Sequence, residues 1–250
     1  MNITKNFNNK NLKLAALCLS TVIVSLTFQN LCIANTNGQS FNEAKKTLTT
    51  IYRYNSEPTT FYCSCPIKYV SKKKMVPDLK ACNYTPGKMA NRASRIEWEH
   101  IMPASWLGNQ LLCWKNGGRK NCAKESQDFI IREGDMHNLV PAIGEVNALR
   151  SNYRYSMLNQ ESSLNGCNFK ISNSKPKAVE PDDSAKGFVA RAMLYMSNKY
   201  NIHLSKIQQQ LMNSWNQKFP PTKWECTRNM MIKEYQGNDN PFITEKCINK

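Results

Sequence analysis

The stretch that decides the fold of this chain reads RIEWEHIMPA, residues 95–104. Within it, aromatic or apolar residues alternate with glutamates, in the order Ile96, Glu97, Trp98, Glu99 and His100. A period of two predicts a short strand. Because neighbouring strand residues point to opposite faces, Glu99 and His100 can share one site only where the strand ends or distorts. Pro103 follows closely and favours such an ending.

Residues 113–122, further along the chain, read CWKNGGRKNC. Two glycines predict a turn, so the segment is expected to be a basic loop flanked by cysteines. Arg119 lies in this loop, where its guanidinium could meet two phosphate oxygens at once. An exposed surface cation is the alternative interpretation.

The next segment, residues 135–152, reads DMHNLVPAIGEVNALRSN. Pro141 predicts the first turn of a helix. The buried face of that helix would carry Ala142, Val146 and Leu149. Asn147 falls outside this face, so its side-chain oxygen could bind a metal, although a solvated asparagine has the same spacing.

These residue types suit the hydrolysis of a phosphodiester. A neutral imidazole is a natural general base near pH 7, and His100 is one of only three histidines, with His137 and His203. Glu99 offers the hard oxygen that Mg²⁺ prefers. Each signal is weak alone, because a single histidine or asparagine is more often structural. Their order along the chain is more specific.

The motifs closely resemble those of the endonuclease I family, bacterial periplasmic and secreted nucleases with a ββα-metal core. The resemblance includes RIEWEH (95–100), the 113–122 segment and NLVPAIGEVN (138–147). It extends through LYM (194–196), WEC (224–226) and QGNDNPF (236–242). It therefore covers nearly all of the chain after residue 34.

The resemblance implies a role for each candidate residue. His100 matches the general base, and Glu99 and Asn147 match the protein ligands of one Mg²⁺, for which other divalent cations could substitute. Arg119 matches the arginine that binds the cleaved phosphate. The implied products carry 5′-phosphate ends. His137 is expected to orient structure, and His203 to lie at the surface or in packing.

The N-terminal residues 1–34 are predicted to be a signal peptide. Three lysines without an acid precede a mostly apolar stretch, and Cys32-Ile33-Ala34 provides small residues for cleavage. Polar residues interrupt that stretch, which argues against an uncleaved membrane anchor. Residues 35–250 would then form the mature nuclease domain, periplasmic or secreted and without stable membrane association.

Eight cysteines remain after residue 34, and an even number in an exported chain predicts disulfides. Structural zinc is disfavoured, because the one close pair has Cys-x-Cys spacing. The pairing is open at this point. The cysteines are Cys63, Cys65, Cys82, Cys113, Cys122, Cys167, Cys226 and Cys247.

The charge of the chain favours a polyanionic partner. The sequence holds 34 Lys and Arg against 18 Asp and Glu, and the signal removes three lysines but no acid. This excess of positive charge attracts phosphate backbones without regard to sequence. Three of the lysines are consecutive, at Lys72-Lys73-Lys74. The charge does not identify the anion, because nucleic acid, anionic lipid and acidic glycans all fit it, and solubility alone could explain it. The family resemblance implies DNA as the partner, with RNA as a second candidate, and a monomer is expected.

Helical spacing of apolar residues predicts helices over 41–54, 188–200 and 204–215, with Ile207, Leu211 and Met212 on the inner face of the last. We therefore expect an α+β fold: a single, helix-rich domain around a ββα-metal core, constrained by disulfides. Two other functions fit the charge and export. One is a protein that captures DNA without cutting it, and the other is a metal-free ribonuclease using His100 and His137.

Overall fold

The computed structural model describes residues 38–72 and 74–247. The predicted signal peptide lies outside these residues and stays a prediction. The described residues belong to one compact unit. None of their helices is long and apolar enough to cross a membrane.

Helices make up much of the described part of the chain. They are α1 (Phe41–Ile51), α2 (Ala90–Ala93), α3 (Ala104–Gly108), α4 (Leu112–Lys115), α5 (Gly118–Glu125), α6 (Gln127–Glu133), α7 (Gly144–Arg150), α8 (Asp183–Tyr200), α9 (Lys206–Lys218), α10 (Lys223–Gln236) and α11 (Pro241–Cys247).

Three small sheets accompany the helices. Their strands are β1 (Ile67–Tyr69), β2 (Met75–Pro77), β3 (Ile96–His100), β4 (Leu139–Ile143), β5 (Arg154–Tyr155), β6 (Lys170–Ile171) and β7 (Ala178–Glu180). The sheets have the strand orders β1-β2, β3-β4 and β5-β7-β6. This mixture of helices and small sheets confirms the predicted α+β class.

The centre of the fold is a ββα unit. Strands β3 and β4 pair antiparallel, with Glu99 opposite Val140 and His100 opposite Leu139. Helix α7 follows β4 directly, and α3 to α6 lie in the connection between the two strands. The strand predicted over 96–100 is confirmed.

The prediction that Pro141 begins a helix is wrong. Pro141 lies inside β4 opposite Trp98, and the helix begins at Gly144. All five residues of β4 are buried, so the strand lacks the alternation that would have revealed it. Pro141 lacks an N–H, but its carbonyl oxygen accepts a hydrogen bond from the Phe61 backbone at 2.8 Å.

Helix α1 begins with a capping box between Ser40 and Glu43, which satisfies two backbone donors at once. Its buried residues Ala44, Leu48 and Ile51 join a small apolar cluster with Ile232 of α10. The helix predicted over 41–54 is thus confirmed as α1 and a short 3-10 turn after it.

Helices α8 and α9 pack together in the main apolar core. Helix α8 starts before the predicted residue 188, because Asp182 caps it at the Ser184 backbone. In α9, Met212 is buried as predicted. The prediction for Ile207 is wrong: it is 74% exposed, since it lies in the first turn on the solvent side.

All eight cysteines after residue 34 form disulfides, so the predicted set of four is confirmed. The pairs are Cys63–Cys167, Cys65–Cys82, Cys113–Cys122 and Cys226–Cys247. The third pair joins α4 to α5, and the fourth joins α10 to α11.

Candidate active site

One cavity of about 310 Å³ brings together the four residues that the sequence singled out. Its lining includes Glu99 and His100 from β3, Arg119 from α5, and Asn147 and Arg150 from α7. We call it the site cavity. His137 and His203 do not line it. His137 is buried elsewhere and His203 is exposed.

Glu99 and His100 both reach the cavity because β3 ends there. Beyond His100, three hydrogen bonds join the chain to Asn138. The Asn138 carbonyl accepts from the Ile101 N–H, its Oδ1 accepts from the Met102 N–H, and its Nδ2 donates to the Met102 carbonyl. The strand end lets two side chains that point to opposite faces border the same space.

The carboxylate of Glu99 is buried with a paired charge. Its Oε1 lies 3.0 Å from Nε of Arg150 and accepts a hydrogen bond from the Tyr62 hydroxyl at 3.0 Å. Burial raises the pKa of Glu99 to about 7, although the Arg150 charge opposes this. A cation in the cavity would favour the ionised form.

The imidazole of His100 is held in one tautomer. Its Nε2 lies 2.9 Å from the backbone carbonyl oxygen of Glu133, and a carbonyl can only accept. Nε2 therefore carries the proton, and in the neutral ring Nδ1 keeps its lone pair. Burial, together with the charge of Arg119, lowers the pKa of His100 to about 3, so the ring is neutral at pH 7.

Arg119 lies in the first turn of α5, and the prediction of a loop at this position is wrong. The turn at Gly117-Gly118 is confirmed, because both glycines have positive φ, and the helix starts with the second. The Arg119 Nε donates to the Glu133 carboxylate at 2.5 Å, while its side chain stays 48% exposed. Its remaining N–H donors are available to a ligand.

Asn147 is oriented by a carboxylate. Its Nδ2 donates to Oε2 of Glu97 at 3.0 Å, so its Oδ1 is left for another partner. Arg92 and Arg95 in turn pair with Glu97. Burial opposes ionisation of Glu97, but the hydrogen bonds from these arginines outweigh it and lower the pKa.

The donor set at the cavity fits a hard divalent cation. Glu99 supplies carboxylate oxygens and Asn147 an amide oxygen, and Mg²⁺ typically takes few protein ligands and keeps several waters. No group of three or more His, Cys, Asp or Glu able to hold a metal occurs among residues 38–72 and 74–247.

Sequence reasoning missed three residues that build the site: Tyr62, Glu133 and Arg150. Arg150 could have been found, because it lies three residues after Asn147 and so shares its helix face. Tyr62 and Glu133 gave no such signal, since they reach the site from distant segments.

An antiparallel pair of strands followed directly by a helix, with a histidine at the end of the first strand, defines a ββα protein of the kind that the sequence resemblance implies. The chain belongs to the Endonuclease I family, whose profile matches residues 38–247.

Individual relatives are similar in sequence to this chain over most of their length. An extracellular deoxyribonuclease of Aeromonas hydrophila is 46% identical over 94% of this chain and 98% of the relative. A periplasmic deoxyribonuclease of the same organism is 48% identical over 84% of this chain and 87% of the relative. Endonuclease-1 of Buchnera aphidicola subsp. Acyrthosiphon pisum is 44% identical over 85% of this chain and 83% of the relative.

Proposed function

We propose that this protein is an exported endonuclease that hydrolyses phosphodiester bonds of DNA, using one Mg²⁺ and no sequence preference. The observation that carries the proposal is the site cavity, where Glu99, His100, Arg119 and Asn147 meet. Family membership and deoxyribonuclease relatives support the same reaction.

His100 acts as the general base. With Nε2 donating to the Glu133 carbonyl, Nδ1 can take a proton from the attacking water. The low pKa keeps the base unprotonated at neutral pH. A bound phosphodiester partly offsets the Arg119 charge, which strengthens the base when substrate is present.

Arg119 binds the phosphate that is cut. Its partner Glu133 fixes the Nε end of the guanidinium and leaves the other nitrogens for phosphate oxygens. As negative charge grows on those oxygens, the arginine stabilises it.

Glu99 and Asn147 would hold the metal through their oxygens. When bound, the metal supplies Lewis-acid polarisation of the phosphate and stabilises the departing 3′ oxygen. Arg150 and Tyr62 fix the Glu99 carboxylate before the metal arrives. We expect products with 5′-phosphate ends.

The substrate is DNA of either strandedness, with RNA as a second candidate. The excess positive charge attracts phosphate backbones irrespective of sequence. The protein acts in the periplasm or outside the cell, as its disulfides and the names of its relatives suggest. We expect a monomer.

A plasmid assay tests this function. The exported protein should degrade supercoiled plasmid with Mg²⁺, and EDTA should stop it. Retention of intact plasmid on a gel, with no cutting in Mg²⁺, would instead identify a DNA-capture protein. Cutting of RNA that survives EDTA would identify a metal-free ribonuclease.

A further inference from the structure

A groove of about 710 Å³ runs along α1, and five α1 side chains line it. Their spacing of three and four residues places them on one helix face: Asn42, Lys45, Lys46, Thr49 and Thr50. Lys72, from the basic run after β1, and Trp98 of β3 complete the lining. We call this the α1 groove.

The α1 groove adjoins the site cavity. Trp98 lines both. The ring of Phe41, at the start of α1, also links them: its centroid lies 4.6 Å from the Lys45 Nζ and 4.8 Å from the His100 ring centroid. The Arg119 guanidinium lies 5.4 Å from the same centroid. The site cavity and the α1 groove therefore meet at Trp98.

The α1 groove carries three positive charges, one of which, that of Lys46, interacts with the Glu43 carboxylate. None of the described residues that line it is acidic, and its three lysines form no ion pair with a described carboxylate. Glu43, the one acid of α1, accepts from the backbone N–H and hydroxyl of Ser40, both at 2.8 Å. Its carboxylate is therefore held at the start of the helix by the capping box.

Resting on the nuclease function proposed above, we propose that the α1 groove binds the phosphodiester backbone of the substrate strand beside the bond that is cut. Lys45, Lys46 and Lys72 contact successive phosphates, and Trp98 stacks with a base. Cationic grooves with an aromatic platform bind single strands in this way irrespective of sequence.

The test measures binding without cutting. A labelled single-stranded 20-nucleotide DNA is titrated in EDTA and followed by fluorescence anisotropy, using exported, full-length mature protein. The test variant is Lys45→Gln/Lys46→Gln/Lys72→Gln. The matched control is Lys80→Gln/Lys88→Gln/Lys206→Gln, which removes the same charge from exposed lysines that line neither space.

We expect the test variant to bind about tenfold more weakly than the control at low salt. The slope of log Kd against log salt concentration should be smaller by ~2, since each lost phosphate contact to a single strand removes ~0.7 from it. The corresponding triple arginine variant should bind like wild type. Thermal melts that match wild type will show that the variants are folded.

Equal Kd and equal salt slope for the two triple glutamine variants would overturn the groove proposal. So would loss of binding to phosphatidylglycerol vesicles with DNA binding intact, because the ligand would then be a lipid surface. The nuclease proposal fails separately: it fails if wild type leaves plasmid uncut in Mg²⁺, whatever the Kd values show.

Discussion

The Nε2 atom of His100 lies 2.9 Å from the backbone carbonyl oxygen of Glu133, a residue 33 positions later in the chain. The side chain of the same Glu133 binds Arg119 at 2.5 Å. One residue at the end of α6 thus orients both the proposed base and the proposed phosphate ligand. The Glu133 backbone carbonyl orients His100, and the Glu133 carboxylate binds Arg119, so a side-chain substitution can separate the two effects.

Glu133→Gln should lower the cutting rate by about tenfold while leaving the fold intact. The change keeps the backbone carbonyl that orients His100 but weakens the hydrogen bond to Arg119. Complete loss of Arg119 as a donor would lower the cutting rate ~100-fold or more. A fluorogenic oligonucleotide assay measures the rate. Asp128→Asn removes an exposed carboxylate of the same helix, one that pairs with Arg132, and serves as control. Equal rates for the two variants would contradict the positioning role.

Arg150→Met should lower the free energy of unfolding by ~3 kcal/mol, because a buried carboxyl at Glu99 would lose its counter-ion. Urea unfolding at pH 7 measures the effect. Arg154→Met, four residues on and exposed, should change stability by less than ~0.5 kcal/mol. If both variants lose the same stability, Arg150 is not the structural partner of Glu99.

Removing the Cys113–Cys122 disulfide should slow cutting by about tenfold in a chain that still folds. This bridge joins α4 to α5, whose first turn positions Arg119. The matched change is Cys226→Ser/Cys247→Ser, which opens a longer loop of 21 rather than 9 positions. It should cost at least as much stability but leave the rate unchanged below its melting temperature. The opposite ranking of the two rates would refute this prediction.

Acid should destabilise the protein partly through His137. Burial lowers the pKa of His137 to about 4 from 6.5, opposed by Asp135, and its Nδ1 has no hydrogen-bond partner among the described residues. Between these two pH values the unfolded chain binds more protons than the folded one. The stabilising contribution is therefore complete above pH 6.5 and is lost as pH falls towards 4.

His137→Gln isolates this contribution, since its amide can still donate to the Asn238 carbonyl that Nε2 now contacts at 3.0 Å. Between pH 7 and pH 4, the variant should lose ~3 kcal/mol less free energy of unfolding than wild type. Urea titrations at several pH values measure the difference. If the free energy of unfolding depends on pH in the same way in both proteins, unfolding does not change the protonation of His137.

The sequence predicted the strands and helices whose apolar residues recur at a regular spacing. Strand β3 alternates and was found, and the α1 residues Ala44, Leu48 and Ile51 are buried with helical spacing as expected. Strand β4 is buried throughout, so no alternation marked it, and Pro141 was assigned to a helix. Ile207 shows the limit of apolar spacing near a helix end.

The site was predictable only where side-chain identity carries the signal. Glu99, His100, Arg119 and Asn147 stand in recognisable motifs. The orientation of His100 depends on a backbone carbonyl, which every residue possesses, and so no sequence feature points to Glu133. The disulfide pairing likewise depended on which cysteines the fold brings together.

The most direct test of the account is the single-turnover cutting rate of His100→Ala in Mg²⁺, with and without added imidazole. His203→Ala, which alters an exposed histidine away from the site cavity, is the matched control. We predict that His100→Ala cuts at least ~100-fold more slowly, as expected for loss of a general base. Imidazole should partly restore it, and His203→Ala should match wild type. A well-folded His100→Ala variant that cuts at nearly the wild-type rate would contradict the assignment of His100 as the base.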